Sequence, residues 1–246
     1  PGYRLKYKDM KDYRNETGRK LEILMEDKPT GLEVCSNIQF YDGISVIRSW
    51  TELKNNGEED LGVEYVSSFA LLGIDKEGLL STDEKLEVLI ARNAWQKELI
   101  WNRFSMDQLG MSISQPDKVR RSSQTISVGN TGNWSTKNYL PMGCLKNKET
   151  DSILFWQIEQ NGSWYWEISD QDGHMYLQLS GPTEHQSHWW KNLKPGDTFA
   201  SVPVSVGSAC GDVEEAAGEL TKYRRAIRRK NEDNEKLPVI FNDYMN

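Results

Sequence analysis

The stretch Ile153-Leu-Phe-Trp-Gln-Ile-Glu-Gln-Asn-Gly-Ser-Trp-Tyr-Trp-Glu-Ile168 decides the fold. Two apolar, β-prone runs flank Gln160-Asn161-Gly162, and Asn-Gly between such runs predicts a hairpin. A two-residue loop sets Glu159 opposite Trp164 and Gln157 opposite Trp166. A three-residue loop, with Gly162 in the left-handed bulge position, sets Leu154 opposite Ile168, Trp156 opposite Trp166 and Ile158 opposite Trp164. The second register gathers the bulky groups on one face and is the one expected. Cross-strand pairs of this kind contribute roughly 0.2–1 kcal/mol each. Phe155 and Tyr165 fall on the other face, which is expected to be partly covered. The hairpin reads as the middle of a large sheet.

Upstream, Leu32 to Tyr41 alternates apolar and polar, Asp42-Gly43 closes a turn, and Ile44 to Leu53 returns. Pro29-Thr-Gly31 and Asn55-Asn-Gly57 mark further turns. Val63 to Ile74 reads as another strand. Leu86–Arg92 and Gln96–Trp101 read as strands before a one-turn helix, although one helix over Ala94–Leu109 also fits the spacing. Ser105-Met-Asp-Gln108 is a capping box and Gly110 a stop. Pro1 to Lys20 is polar and reads as a segment leading in from elsewhere. Downstream, Thr125 to Val128 and His174 to Ser180 read as strands, with Met175, Leu177 and Leu179 on one face. Lys194-Pro-Gly-Asp197 is a turn. Thr198 to Val206 is a strand that tolerates Pro203 only near an edge or bulge.

From Asp212 the period changes. Val213, Ala216, Ala217, Leu220, Tyr223 and Ile227 form a stripe at helical spacing. Asp212 is placed to cap, with Glu215 three residues on, and Arg224, Arg225, Arg228 and Arg229 suit the C-terminal end of the helix dipole. A charged linker, Lys230 to Lys236, follows. Val239 to Phe241 then reads as an orphan strand with no partner left in the sequence. Pro1 is not an initiator methionine, so both ends are expected to be cuts in a longer chain.

A net charge of −7 and a pI near 5.2 argue against nucleic acid or an anionic membrane as partner. No stretch reaches the ~18 apolar residues of a membrane span. Three widely spaced cysteines, an odd number, fit free thiols in a reducing compartment, so a cytoplasmic location is expected. His185-x-x-His188 has the spacing of a metal pair but no third ligand nearby, and it reads as a packed loop. Arg120-Arg121 reads as a solvated face. Asn15, Asn133 and Asn161 head glycosylation patterns that carry weight only in a secreted protein. No Ser/His/Asp, Cys/His or Gly-rich phosphate motif is present. Trp164 and Trp166 read as core, whereas Trp134, Trp189 and Trp190 are candidates to stack on sugar rings.

Taken in order, Pro29-Thr-Gly-Leu32, Ile44-Ser-Val-Ile-Arg-Ser-Trp50 with Lys54-Asn-Asn-Gly57, Leu140-Pro-Met-Gly143, Gln157 to Glu167, Gly181-Pro182 with Leu193-Lys-Pro-Gly196, and Asn234 to Asn246 make the chain resemble one known protein class. It is similar to the N-terminal β-supersandwich of family 36 α-galactosidases (melibiases), with the first residues of their catalytic barrel. The resemblance implies a mainly β fold: a large antiparallel two-sheet β-supersandwich over residues 1–207, an amphipathic helix and linker over 208–236, and a first barrel strand over 237–246. It implies a parent enzyme that cleaves terminal α-galactosides of the melibiose and raffinose type with retention, using no metal or organic cofactor. Both catalytic aspartates of such enzymes lie on later barrel strands, so no catalytic residue is expected here. The first barrel strand of the family ends in galactose-pocket residues, often a Trp followed by an acid. That role carries over to Asn242 and Asp243, with Asp243 standing where the Trp usually is. Implied partners are the barrel of the same parent chain, the galactoside, and further copies in a homo-oligomer.

Overall fold

The computed structural model describes residues 2–111, 124–171 and 173–241. The strands in chain order are β1 (Lys6–Arg14), β2 (Arg19–Asp27), β3 (Leu32–Tyr41), β4 (Ile44–Asn55), β5 (Leu61–Val63), β6 (Ser67–Leu72), β7 (Leu86–Ala94), β8 (Lys97–Ser105), β9 (Thr125–Asn130), β10 (Tyr139–Asn147), β11 (Ser152–Ile158), β12 (Trp164–Gln171), β13 (His174–Ser180), β14 (Lys191–Leu193), β15 (Thr198–Ala200) and β16 (Val204–Cys210). Among the described residues four α-helices join them, α1 (Thr82–Lys85), α2 (Glu184–Ser187), α3 (Val213–Ile227) and α4 (Glu232–Lys236), with single 3-10 turns at Gly2–Arg4 and Asp107–Leu109. The fold is mainly β and antiparallel. A ten-stranded sheet runs β1-β2-β3-β4-β16-β11-β10-β7-β8, with β15 added to β4. Facing it is a four-stranded sheet, β6-β13-β12-β9, and β5 and β14 form a small ribbon.

The expected hairpin does not form. Strand β11 lies between β10 and β16 in the large sheet, and β12 lies between β9 and β13 in the small one. Residues 159–163 therefore carry the chain from one layer to the other. Each strand already has two hydrogen-bonded neighbours, so neither has a free edge for the other. Gly162 is not among the glycines with positive φ, so the left-handed bulge that the three-residue loop requires is missing. The grouping of bulky residues survives in another form. Trp156, Ile158, Trp164, Trp166 and Ile168 share one core, facing each other across the layers instead of lying side by side. The rings of Trp156 and Trp166 meet edge to face at 5.1 Å, an arrangement worth roughly 0.5–1.5 kcal/mol beyond its burial.

Room for these rings comes from glycine. Gly143 lies opposite Trp156 on β10, and Gly207 lies opposite Phe155 on β16. A Cβ on Gly143 would sit 2.5 Å from the Trp156 ring, and one on Gly207 would sit 2.3 Å from Phe155 and 2.5 Å from the Ser45 carbonyl. Phe155 points away from the inter-sheet core. With Val46, Leu89, Cys144 and Ile153 it floors a second core covered by Ala216, Leu220 and Tyr223 of α3. The large sheet is thus buried on both faces around β11. Burial there pushes the Cys144 thiol up to about 12, far from the thiolate a reactive cysteine needs.

The cap predicted for α3 is present: Asp212 accepts from Val213 N at 2.7 Å, and Glu215 accepts from Asp212 N at 2.8 Å. A polar clamp holds the helix to the point where the chain leaves the large sheet. Arg48 donates to Glu159 at 2.7 and 3.0 Å, and the Tyr223 hydroxyl donates to the other oxygen of the same carboxylate. At the other end, Arg4 grips the fully buried Asp27 at 2.7 and 3.1 Å and Thr30 donates to it at 2.7 Å. Those contacts hold the Asp27 carboxyl below its usual range, the Arg4 hydrogen bonds first among the causes.

Other expectations change in detail. Residues 1–20 are not a mere lead-in, because β1 pairs along its length with β2. Its nine residues are all exposed, and all but Met10 are charged or aromatic, which suits the open edge of a sheet. The strand expected over Val63–Ile74 splits into β5 and β6, which join different sheets. Thr198–Val206 breaks at Pro203, and β15 and β16 pair with separate parts of β4. The charged linker contains α4, capped by Asn231. Val239, Ile240 and Phe241 are 100%, 85% and 83% exposed and lie in no strand, so the expected orphan strand is not formed in this structure. A strand of that composition needs neighbours on its faces and edges, and among the described residues none pairs with it.

Two substitutions test the core. Trp156→Ala is expected to destabilise the domain by about 3–5 kcal/mol. Gly207→Ala is expected to cost about 1–3 kcal/mol through overpacking. Urea unfolding followed by tryptophan fluorescence and by circular dichroism measures both. A change within error for either variant would show that the glycine-seated rings do not set the sheet packing.

Candidate functional site

The antiparallel order of the small sheet brings four strand ends together. The end of β9 (Asn130), the start of β12 (Trp164), the end of β13 (Ser180) and the start of β6 (Ser67) lie in register at one end of the sheet. The loops that leave there carry all three candidate tryptophans. Trp134 follows β9 and is 58% exposed. Its loop is fixed from behind, since Trp164 Nε1 donates to Ser135 O at 2.7 Å and Asn130 donates to Trp134 O at 2.8 Å. Trp190 lies between α2 and β14 and is 65% exposed. Trp189 is different. Its ring packs on Phe199 at 5.4 Å and joins the small core of Leu32, Val34, Leu53, Val63 and Leu193. The structure therefore leaves Trp134, after the edge strand β9, and Trp190, after the inner strand β13, as open aromatic surfaces, while Trp189 serves packing. Asn242 and Asp243 lie outside the described residues.

The outer face of the small sheet holds a cleft that the sequence reading missed. On β12, Trp164, Trp166 and Ile168 point into the core, so Tyr165 and Glu167 point outward. On β13, Met175, Leu177 and Leu179 point inward and leave Tyr176 and Gln178 outside. Glu167 accepts the Tyr165 hydroxyl at 2.5 Å on one oxygen and the Tyr176 hydroxyl at 2.9 Å on the other. Gln178 donates to the Tyr65 hydroxyl. Both Tyr165 and Tyr176 have phenol pKa values raised above the ordinary 10, by burial first and by Glu167 second. They thus remain protonated donors to that carboxylate. The wall is the turn carrying α2. Thr183, 3% exposed, caps it by accepting from Gln186 N at 3.0 Å, and Glu184 N donates to Glu64 O at 2.8 Å. The cleft is open to one side, with a volume of about 310 Å³.

A second groove, about 380 Å³, runs between α3 and the large sheet, with Leu220 and Met142 below and Arg224, Arg225 and Arg228 at the rim. Arg224 donates to Gln157 at 3.1 Å. Among the described residues no group of three or more His, Cys, Asp or Glu side chains is arranged to hold a metal ion. His185 lies on the cleft wall, and His188 is the left-handed residue that ends α2.

The architecture defines a two-layer β-supersandwich with a helix packed on the outside of its larger sheet. No family model and no curated protein matches the chain. Solved structures do. A GH36 α-galactosidase from Geobacillus stearothermophilus in complex with stachyose matches with a TM-score of 0.77 at 17% identity, over 94% of this chain and 32% of that one. The α-galactosidase from Lactobacillus brevis gives 0.72 at 14% identity, over 90% and 29%. The galactosidase domain of an α-galactosidase–sucrose kinase gives 0.71 at 19% identity, over 92% and 30%. The chain thus has the fold of one domain-sized part of GH36 α-galactosidases and spans about a third of their length. The family resemblance read from the sequence is met by this likeness of fold.

The division among the tryptophans is measurable. Trp189→Ala is expected to destabilise by about 2–4 kcal/mol, because it opens a cavity against Phe199. Trp134→Ala and Trp190→Ala are expected to stay within about 0.5 kcal/mol of the parent. Chemical denaturation of the three variants checks this, and equal losses at all three sites would contradict the division.

Proposed function

We propose that the chain is the non-catalytic N-terminal β-supersandwich of a retaining α-galactosidase that acts on terminal α-galactosides of the melibiose and raffinose type. In this reading residues 1–207 are the sandwich, 208–236 the helix and connector, and 237–246 the entry into a catalytic barrel. The observation that carries it is the pairing of coverages: 94% of this chain against 32% of a GH36 α-galactosidase. The two carboxyl groups of a retaining glycosidase stand about 5–5.5 Å apart across the scissile bond. In this proposal they belong to the barrel, and the domain supplies mounting surface.

Two features support a mounting role. The apolar run Leu237 to Phe241 leaves the body exposed, at 74–100% for Leu237, Val239, Ile240 and Phe241. The groove beside α3 combines an apolar floor with an arginine rim, on the same helix that leads to that run. Asn242 and Asp243 would then fall at the C-terminal end of the first barrel strand, where barrel sites are built, and would touch the galactose. Trp95 and Leu99, 84% and 52% exposed on the β7–β8 hairpin, offer apolar surface for contact between copies in a homo-oligomer. The three free cysteines fit a cytoplasmic setting.

A second reading treats the domain as a sugar-binding module that uses Trp134 and Trp190, and it is favoured by the exposure of those two rings. The readings part in simple assays. The purified chain is expected to show no turnover of a chromogenic α-galactoside, and a longer product that continues past Asn246 is expected to show it. Calorimetry of the chain with raffinose is expected to give no heat that depends on Trp134 or Trp190. Turnover by the chain alone, or a longer product without α-galactosidase activity, would overturn the proposal.

A further inference from the structure

We propose that the cleft on the outer face of the four-stranded sheet is a binding site for a neutral, polyhydroxylated ring, held by Glu167, Gln178, His185 and Gln186 against the ring of Tyr65. The proposal stands apart from the galactosidase reading, because it uses only side chains of β12, β13, the α2 turn and the segment before β6. Its first support is shape. The sheet forms the floor and the α2 turn one wall of an open cleft, and its space of about 310 Å³ is at the lower end of the range of small-ligand sites.

The second support is the chemistry of the lining. Glu64, Glu167 and Glu184 line the cleft and no Lys or Arg does, so an anion is disfavoured. On the floor, Glu167 gives a compact cation no unshared oxygen, since both of its oxygens already accept phenol protons, whereas each keeps a lone pair for one further hydroxyl donor. Hydroxyl groups both give and accept hydrogen bonds, and so do the primary amides and the imidazole of this lining. The Gln186 and His185 side chains make no hydrogen bond among the described residues, and the Gln178 carbonyl remains open while its amide nitrogen serves Tyr65. Tyr65, 39% exposed, presents a flat aromatic surface of the kind that receives the C–H face of a saturated ring.

The third support is preorganisation. Glu167 is fixed by two tyrosines from adjacent strands, so its carboxylate is aligned before a ligand arrives. A surface serving only solubility has no use for a carboxylate held in this way.

The test is a titration of the isotope-labelled 246-residue chain with galactose, glucose and raffinose to tens of millimolar, read by amide NMR shifts. Saturable shifts are expected at Tyr165, Gln178 and Gln186. Glu167→Ala and Tyr65→Ala are expected to weaken binding at least tenfold. His185→Ala with Gln186→Ala, on the exposed turn and outside the sheet, is expected to weaken it severalfold in a protein that still folds. Trp134→Ala and Trp190→Ala are expected to bind as the parent does. The proposal is overturned by an absence of saturable shifts, by shifts that centre on Trp134 or Trp190, or by equal displacement with inorganic phosphate or lysine. None of these outcomes touches the enzyme reading, which rests on turnover by the longer product.

Discussion

The structure depends on one contact between layers, the edge of one indole against the face of another where Trp156 meets Trp166. Consecutive strands contribute these rings, yet the strands belong to different sheets. The short passage from Glu159 to Ser163 must therefore span the thickness of the sandwich. Both rings are fully buried, and so are Ile158, Trp164 and Ile168 around them. Neither indole N–H has a partner among the described residues. Leaving such a donor without a partner costs about 1–3 kcal/mol, and burial of the rings has to outweigh that. Glycine at 143 is the counterpart of this arrangement, because any side chain there would occupy the volume of the Trp156 ring.

The same passage ties the inner core to the outer helix. Glu159 stands where β11 ends, and its two oxygens are taken by Arg48 of β4 and Tyr223 of α3. A half-buried carboxylate of this kind is tolerable because it is paired on both sides. Desolvation, the largest single influence, pulls Arg48 down, but Glu159, Tyr223 and Tyr41 together raise it above its usual value, so its charge is held in place. The point at which the chain changes layer is thus also the point at which α3 is pinned. Both faces of β11 are covered in consequence: Trp156 toward the small sheet and Phe155 toward the helix.

Much of this was legible in the residues. Alternation in Leu32–Tyr41 and Ile44–Leu53 around Asp42-Gly43 matches the β3–β4 pair, and the strand reading of 86–101 holds over its helical rival. The reciprocal bonds of Ser105 and Gln108 match their capping box. The Asn161-Gly162 junction misled for a definite reason. Apolar runs on either side of a turn dipeptide describe two strands whose apolar faces meet, and this holds equally for neighbours in one sheet and for partners across a sandwich. Only the demand of β10, β16, β9 and β13 for the same edges decides between them, and that demand is not local. The cleft was half legible. The hairpin register already sends Tyr165, and with it Glu167, to the face opposite the tryptophans, and the alternation of His174–Ser180 does the same for Tyr176 and Gln178; the pairing of β12 with β13 that brings them together is what the register missed. The grouping of Tyr65 with them depends on the β13–β6 pairing, which no short stretch reveals.

The indole pair has an optical consequence. Two such chromophores, held at 5.1 Å and nearly perpendicular, couple their electronic transitions and split the far-ultraviolet dichroism into a couplet. That signal exists only while the layers are shut upon each other, whereas ordinary backbone dichroism persists in any state that keeps its strands. The protein therefore carries an intrinsic gauge of the closing of its sandwich, separate from the formation of the sheets themselves.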